Sequence, residues 1–189
     1  IEEKTLLSSD GKNTYGNLVG VDASFRNVIE IDSVLSVGRW IKEDSSEIVV
    51  SYFMADKLNL GLFNYGGELS VSVPNKKNNS VLIKKPFRSL GFAPSGVYSS
   101  SNEKDQRNVF SSLGSAQSLL NKGAQEISAI LIKPLKNPNV LMQKLKKVFN
   151  EGFYVKTREE LNPTYYKMLN VESLILNILM ALILTVAMF

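Results

Sequence analysis

Cysteine and histidine are both absent from this chain of 189 residues, and the two absences exclude more chemistry than any motif includes. Without a thiol or an imidazole there is no cysteine nucleophile, no serine–histidine relay, no thiolate or imidazole zinc site and no disulfide framework. Zero cysteines suits a reducing cytosol and an oxidising periplasm alike. Clustered charge is lacking too. The 22 Lys and Arg exceed the 18 Asp and Glu by only +4, and no run of five or more like charges occurs. A nucleic-acid footprint needs Lys and Arg gathered along one face, so no nucleic-acid partner is expected, and Lys144, Lys146 and Lys147 read as a solvated helix face. No G-x-x-x-x-G-K-[ST] loop occurs, so nucleotide would have to bind elsewhere, and no cofactor or metal site is expected. The opening Ile1-Glu2-Glu3-Lys4 has no apolar core of a signal peptide behind it; an extracytoplasmic location would need a segment upstream of Ile1.

Two stretches fit S-x-x-K, Ser9 to Lys12 and Ser101 to Lys104. A serine nucleophile with a lysine base needs a helix start and a desolvated lysine, and both stretches fall in polar turns. No catalytic residue is expected, and the chain reads as a non-enzyme.

The longest apolar run closes the sequence. Ser173 to Phe189 contains no charge, and only Ser173, Asn177 and Thr185 interrupt it. A bilayer core about 30 Å thick needs roughly 20 apolar residues in a helix, with a lower limit near 17. The run therefore reads as the start of a transmembrane helix that extends past Phe189; a buried core helix is the alternative. Asn162-Pro163 supplies a cap and a first-turn proline whose missing N–H costs nothing. No glycine or proline follows, so one helix is expected to join the domain rigidly to the membrane run. Tyr165, Tyr166 and Lys167 sit where interfacial aromatics and a snorkelling cation belong. Together with Asn162 and Pro163 they form the candidate coupling helix.

Upstream, Thr5–Ser8 and Leu18–Val21 flank Asp10-Gly11-Lys12-Asn13 and predict a hairpin. A short helix is expected from Ser24, and Trp40 as an aromatic anchor over a core edge. Ile48-Val49-Val50 predicts a strand, followed by a helix over Ser51–Leu60 that stops at Gly61. The alternation Glu68–Val73 predicts a half-buried strand, with further strands at Val81–Ile83 and Phe92–Tyr98. Ser99–Asn108 contains no apolar residue and reads as a mobile loop; Ser101, Asn102, Glu103, Lys104 and Asp105 are its candidate partner-binding residues. Val109–Leu113 predicts a strand, then a helix capped by Ser115. Ile127–Ile132, a helix capped by Asn139 and ended by Gly152, and Phe153–Thr157 predict a βαβ unit.

The order of these pieces resembles the extracytoplasmic domain of FtsX/MacB-type ABC transporter permeases, most of all the Lol-type lipoprotein-releasing ones. The resemblance rests on Leu18-Val19-Gly20-Val21-Asp22, on Ile48-Val49-Val50 leading to Ala55–Gly61, and on Val71-Ser72-Val73-Pro74. It continues through Gly96-Val97-Tyr98, Val109-Phe110 and Ala116–Leu120, and ends with Val155-Lys156-Thr157 before Tyr166–Asn170. Ser51 departs from the glycine of many relatives. The resemblance implies an α+β fold: a membrane-proximal βαβ (Porter) lobe from 1–46 and 121–162, an inserted β-rich (Sabre) lobe from 47–120, and 163–189 as the connecting and transmembrane helix. It further implies a bacterial inner-membrane permease subunit with this domain in the periplasm. Expected partners are a cytoplasmic ABC ATPase subunit that binds the ATP, a second permease subunit, a periplasmic lipoprotein carrier or cargo, and the lipid bilayer at 173–189.

Overall fold

Asp10 and Gly11 both adopt positive φ (45° and 75°), the conformation a two-residue hairpin turn demands of its central pair. They close β1 (Glu2–Ser9) onto β2 (Lys12–Val21), antiparallel, with Ser9 opposite Lys12. The computed structural model describes residues 1–61, 67–75, 86–135, 137–149 and 152–188; the expected strand at Val81–Ile83 lies outside them. Residues Ile1–Ile132 and Lys133–Phe189 form two separate compact units.

In the first unit two short helices, α1 (Phe25–Val28) and α2 (Ile31–Val34), lead to β3 (Leu35–Gly38). Then come β4 (Glu47–Ser51), α3 (Tyr52–Leu58), β5 (Leu69–Pro74), β6 (Phe87–Tyr98), β7 (Asn108–Ser112) and α4 (Leu113–Leu120). The strands pair in the order β3-β6-β4-β7-β2-β1-β5, and β5 also pairs with β6, so six strands close into a ring with β3 attached. The twelve-residue β6 makes closure possible, its first half pairing with β5 and its second with β4. Pro94 sits beside the register shift between Ile48 and Val49, where the ladder is already broken and a missing N–H is tolerated. The ring takes β1 and β2 from the stretch assigned to the Porter-like lobe (1–46) and β4–β7 from the stretch assigned to the Sabre-like lobe (47–120).

Successive residues of a strand face opposite ways, and β4 shows what that does here. Ile48 and Val50 belong to one buried cluster with Leu7, Leu18, Leu69, Val71, Phe92 and Val109, one or more from every strand of the ring. Val49, between them, belongs to a second cluster with Val21, Ile31, Trp40 and Tyr98. Burial of a large apolar side chain stabilises by roughly 1.5–3 kcal/mol, so the continuous Ile48-Val49-Val50 run holds both faces. Trp40 is the expected anchor, its ring against Phe110 at 5.3 Å and Phe25 at 6.1 Å.

β4–α3 and β7–α4 repeat one another. The two strands are antiparallel through the Val49–Phe110 pair, and each has a parallel outer neighbour, β6 on β4 and β2 on β7. Each strand ends in a serine that caps its helix: Ser51 accepts from the Met54 N–H, and Ser112 from the Ser115 N–H. Each helix stops at an asparagine in the left-handed region, Asn59 and Asn121. The cap of α4 is thus Ser112, one turn before the expected Ser115, because the residue with extended backbone ahead of the first turn is the one that can receive its N–H. The stop of α3 is Asn59 in place of Gly61, since asparagine tolerates the left-handed conformation.

The second unit contains α5 (Pro138–Val148), α6 (Arg158–Leu161) and α7 (Pro163–Met188). Asn137 caps α5 by accepting from the Asn139 N–H at 3.0 Å, with Pro138 in the first turn, so the expected cap at Asn139 lies two residues too late. Gly152, expected to end this helix, has a φ of +85° but lies beyond its last residue, Val148. The expected βαβ unit is also corrected: only its helix forms. Neither Ile127–Ile132 nor Phe153–Thr157 pairs with a strand among the described residues. A strand needs a neighbour's N–H and C=O groups to become one, and β-branched residues alone do not supply them.

Candidate functional site

The polar loop Ser99–Asn108 is held from below. Buried Tyr98 donates its hydroxyl to the carbonyls of Asp105 and, at 2.9 Å, Asn108; burial first, and the Asp105 charge second, push its pKa above the usual tyrosine range. Ser51 donates to the carbonyl of Gln106 while capping α3 at 3.1 Å. Gln106 donates from Nε2 to the Ser100 carbonyl at 2.9 Å, and Asn102 accepts from the Lys104 N–H at 3.1 Å. These bonds fold Asp105–Arg107 into a turn of 3-10 helix. Several of the backbone groups that such a polar stretch would give to water instead bond Tyr98, Ser51 and its own side chains. Ser101, Asn102, Glu103, Lys104 and Asp105 are brought together on its exposed crest.

The other candidate residues line the start of α7 in the second unit. Thr157 and Glu160 form a reciprocal capping box, Glu160 N–H to Thr157 Oγ1 at 3.2 Å and Thr157 N–H to Glu160 Oε2 at 2.9 Å. This sets α6, whose end at Asn162 hands the chain to Pro163, the first residue of α7. The T-x-x-E spacing that announces the box is visible in the sequence and went unread. Tyr165 and Tyr166 meet edge to face at 5.6 Å, and Lys167 is exposed beside them. From there α7 runs 26 residues without a break, about 39 Å at 1.5 Å per residue. None of its residues is buried, although the helix is long and apolar enough to cross a bilayer. Thr185 donates its hydroxyl to the Leu182 carbonyl at 2.7 Å, satisfying within the helix a group that lipid would not.

Ser9 and Lys12 form the closing pair of the first hairpin, and Ser101 and Lys104 lie on the loop crest, so neither S-x-x-K stretch begins a helix. Ser9 Oγ is buried without a hydrogen-bond partner. Among the described residues, no three carboxylates converge as metal ligands. An ion pair that sequence reading missed joins Arg39 to Glu47: Nη1 reaches Oε2 at 2.8 Å, Nη2 bonds Oε1, and the Lys42 N–H adds 3.2 Å to Oε2. The Arg39 hydrogen bond holds the Glu47 carboxyl below its usual range. It staples the chain between β3 and β4, eight residues apart, at a spacing no helix or strand period signals.

No family model matches the sequence, and no curated protein shows significant similarity to it. Solved structures do. The extracellular domain of the noncanonic ABC-type transporter YknZ from Gram-positive bacteria aligns at 11% identity over 64% of this chain and 56% of its own, with a TM-score of 0.45. The chain thus spans just over half of that domain. The periplasmic region of MacB from Actinobacillus actinomycetemcomitans aligns at 16% identity over 87% of this chain and 72% of its own, with a TM-score of 0.52. The α+β arrangement is therefore the fold of the MacB periplasmic region, and this chain also has the apolar helix α7.

Proposed function

We propose that this chain is the extracytoplasmic domain of an FtsX/MacB-type ABC transporter permease subunit, with α7 beginning a transmembrane helix in a bacterial inner membrane. ATP is hydrolysed on a separate cytoplasmic subunit, and a second permease subunit completes the pair. The motion passes along α7 to the domain, which releases or exports cargo. Lipoproteins are the first choice of cargo; efflux of smaller molecules, or control of a cell-wall hydrolase, uses the same coupling.

The observation that carries the reading is the unbroken α7. A stiff helix transmits a displacement that a flexible linker absorbs. It contains no glycine, has no proline after Pro163, and follows directly on α6, which the Thr157–Glu160 box caps. Insertion of three glycines after Asn170 is expected to abolish transport in cells while expression and membrane insertion hold. Transport that survives the insertion overturns rigid coupling. Co-purification of a cytoplasmic ATPase subunit from detergent separates this reading from a passive tethered domain, which would bring none.

A further inference from the structure

The chain's net charge is not shared between its units. Residues 1–132 hold 14 Lys and Arg against 14 Asp and Glu, while 133–189 hold eight against four, so the whole excess of +4 lies with the apolar helix. Much of it sits on α5, which contains Lys144, Lys146 and Lys147 and no acidic residue. At 100° per residue, Leu141, Leu145, Val148 and Phe149 form one apolar arc, and Lys144 and Lys146 flank it about a quarter turn or slightly more to either side. None of the helix is buried; Val148 is 74% exposed. Phe149 packs against Phe153 with the rings tilted and 5.1 Å apart, and with Tyr154, Lys146 and Lys156 they line an open concavity whose one acid, Glu160, is engaged with the Thr157 backbone.

We propose that α5 and this concavity are a docking surface for anionic phospholipid, the helix lying in the interface with its apolar arc among the acyl chains and Lys144, Lys146, Lys147 and Lys156 at headgroup phosphates. The inference rests on the reading of α7 as a membrane helix. Charge complementarity selects the occupant. A lysine pair flanking an apolar arc is the pattern of interfacial helices, a basic cluster next to a membrane helix attracts anionic lipid, and Phe and Tyr supply interfacial aromatics. An acidic protein surface would match the lysines but would leave the apolar arc without a partner.

The absence of cysteine makes the test direct. The full chain is reconstituted in nanodiscs of phosphatidylcholine alone, or with about 30% phosphatidylglycerol, and labelled at Val148→Cys or Ile183→Cys with a fluorophore that spin-labelled lipid quenches. Expected is strong quenching of the Val148 probe only in the anionic discs. Raised salt, or K144Q/K146Q/K147Q, lowers the docked-to-free ratio by about tenfold or more, while K144R/K146R/K147R retains it. Equal quenching in both lipids shows a purely apolar contact and overturns the proposal, as does no quenching in either with Ile183 quenched, the result an acidic protein partner predicts. Loss of quenching at Ile183 instead overturns the membrane reading of α7.

Discussion

The two units handle apolar side chains in opposite ways. Among the described residues, every buried hydrophobic residue lies at or before Leu119, in two clusters on the two sides of one closed sheet. After Lys133 nothing in α5, α6 or α7 is buried, although α7 is the most apolar element of the chain. The charges divide the same way, balanced before residue 133 and +4 after it. A sequence that buries its own apolar surface is written for water; one that leaves it exposed beside lysines is written for another surface.

The contrast is easiest to break in the core. Phe92 is wholly buried inside the ring, so Phe92→Ala is expected to cost about 3–5 kcal/mol in denaturant unfolding of the first unit. The matching change Val148→Ala should stay within about 0.5 kcal/mol; a comparable loss would show that the second unit has a core of its own. Next comes Gly20, whose Cβ position is occupied by the Ala116 side chain where α4 crosses β2. Gly20→Ala is expected to destabilise by about 1–3 kcal/mol through overpacking.

A smaller effect belongs to Ser51→Ala, which removes the cap of α3 and the bond to Gln106. It should cost about 1–2 kcal/mol and raise hydrogen exchange in Ser100–Asn108. Smallest is the pH dependence. Glu47 has a lowered folded pKa, so the stability from its Arg39 pair is present above the unfolded carboxylate value near 4.5 and is lost as pH falls below it. Tyr98 is shifted the other way. Its contribution is full below the unfolded value near 10 and is lost as pH rises above that. Unfolding midpoints of Glu47→Gln should lose the acid-side slope, and those of Tyr98→Phe the alkaline-side one.

Most of the first unit was legible because its signals are local. Asp-Gly fixed the hairpin, alternation fixed β5, and the β-branched run fixed β4. Ring closure was not, since nothing in Leu69–Pro74 names both β1 and β6 as neighbours. The repeat of β4–α3 in β7–α4 was hidden because the two strand–helix pairs share only their serine cap, their apolar spacing and an asparagine stop. Ile127–Ile132 and Phe153–Thr157 failed for the converse reason: their residue types favour extension, but pairing is a property of the neighbour. Of the candidate sites, Pro163 as the first residue of α7 was readable from its fixed φ and missing N–H, whereas Asn162, expected as the cap of that helix, stands where α6 ends. The fixing of the loop at Asp105, Gln106 and Asn108 was not readable, because Tyr98 and Ser51 bond it from other elements.

Site-directed spin labelling along single-cysteine variants from Tyr165 to Met188 in bilayers tests the central claim most directly. Oxygen accessibility should follow a period of about 3.6 residues without interruption, and rise into the lipid range from Ser173 onward. A break in the period between Lys167 and Ser173, or water-exposed labels beyond Ser173, would contradict a rigid helix that carries motion from the membrane to this domain.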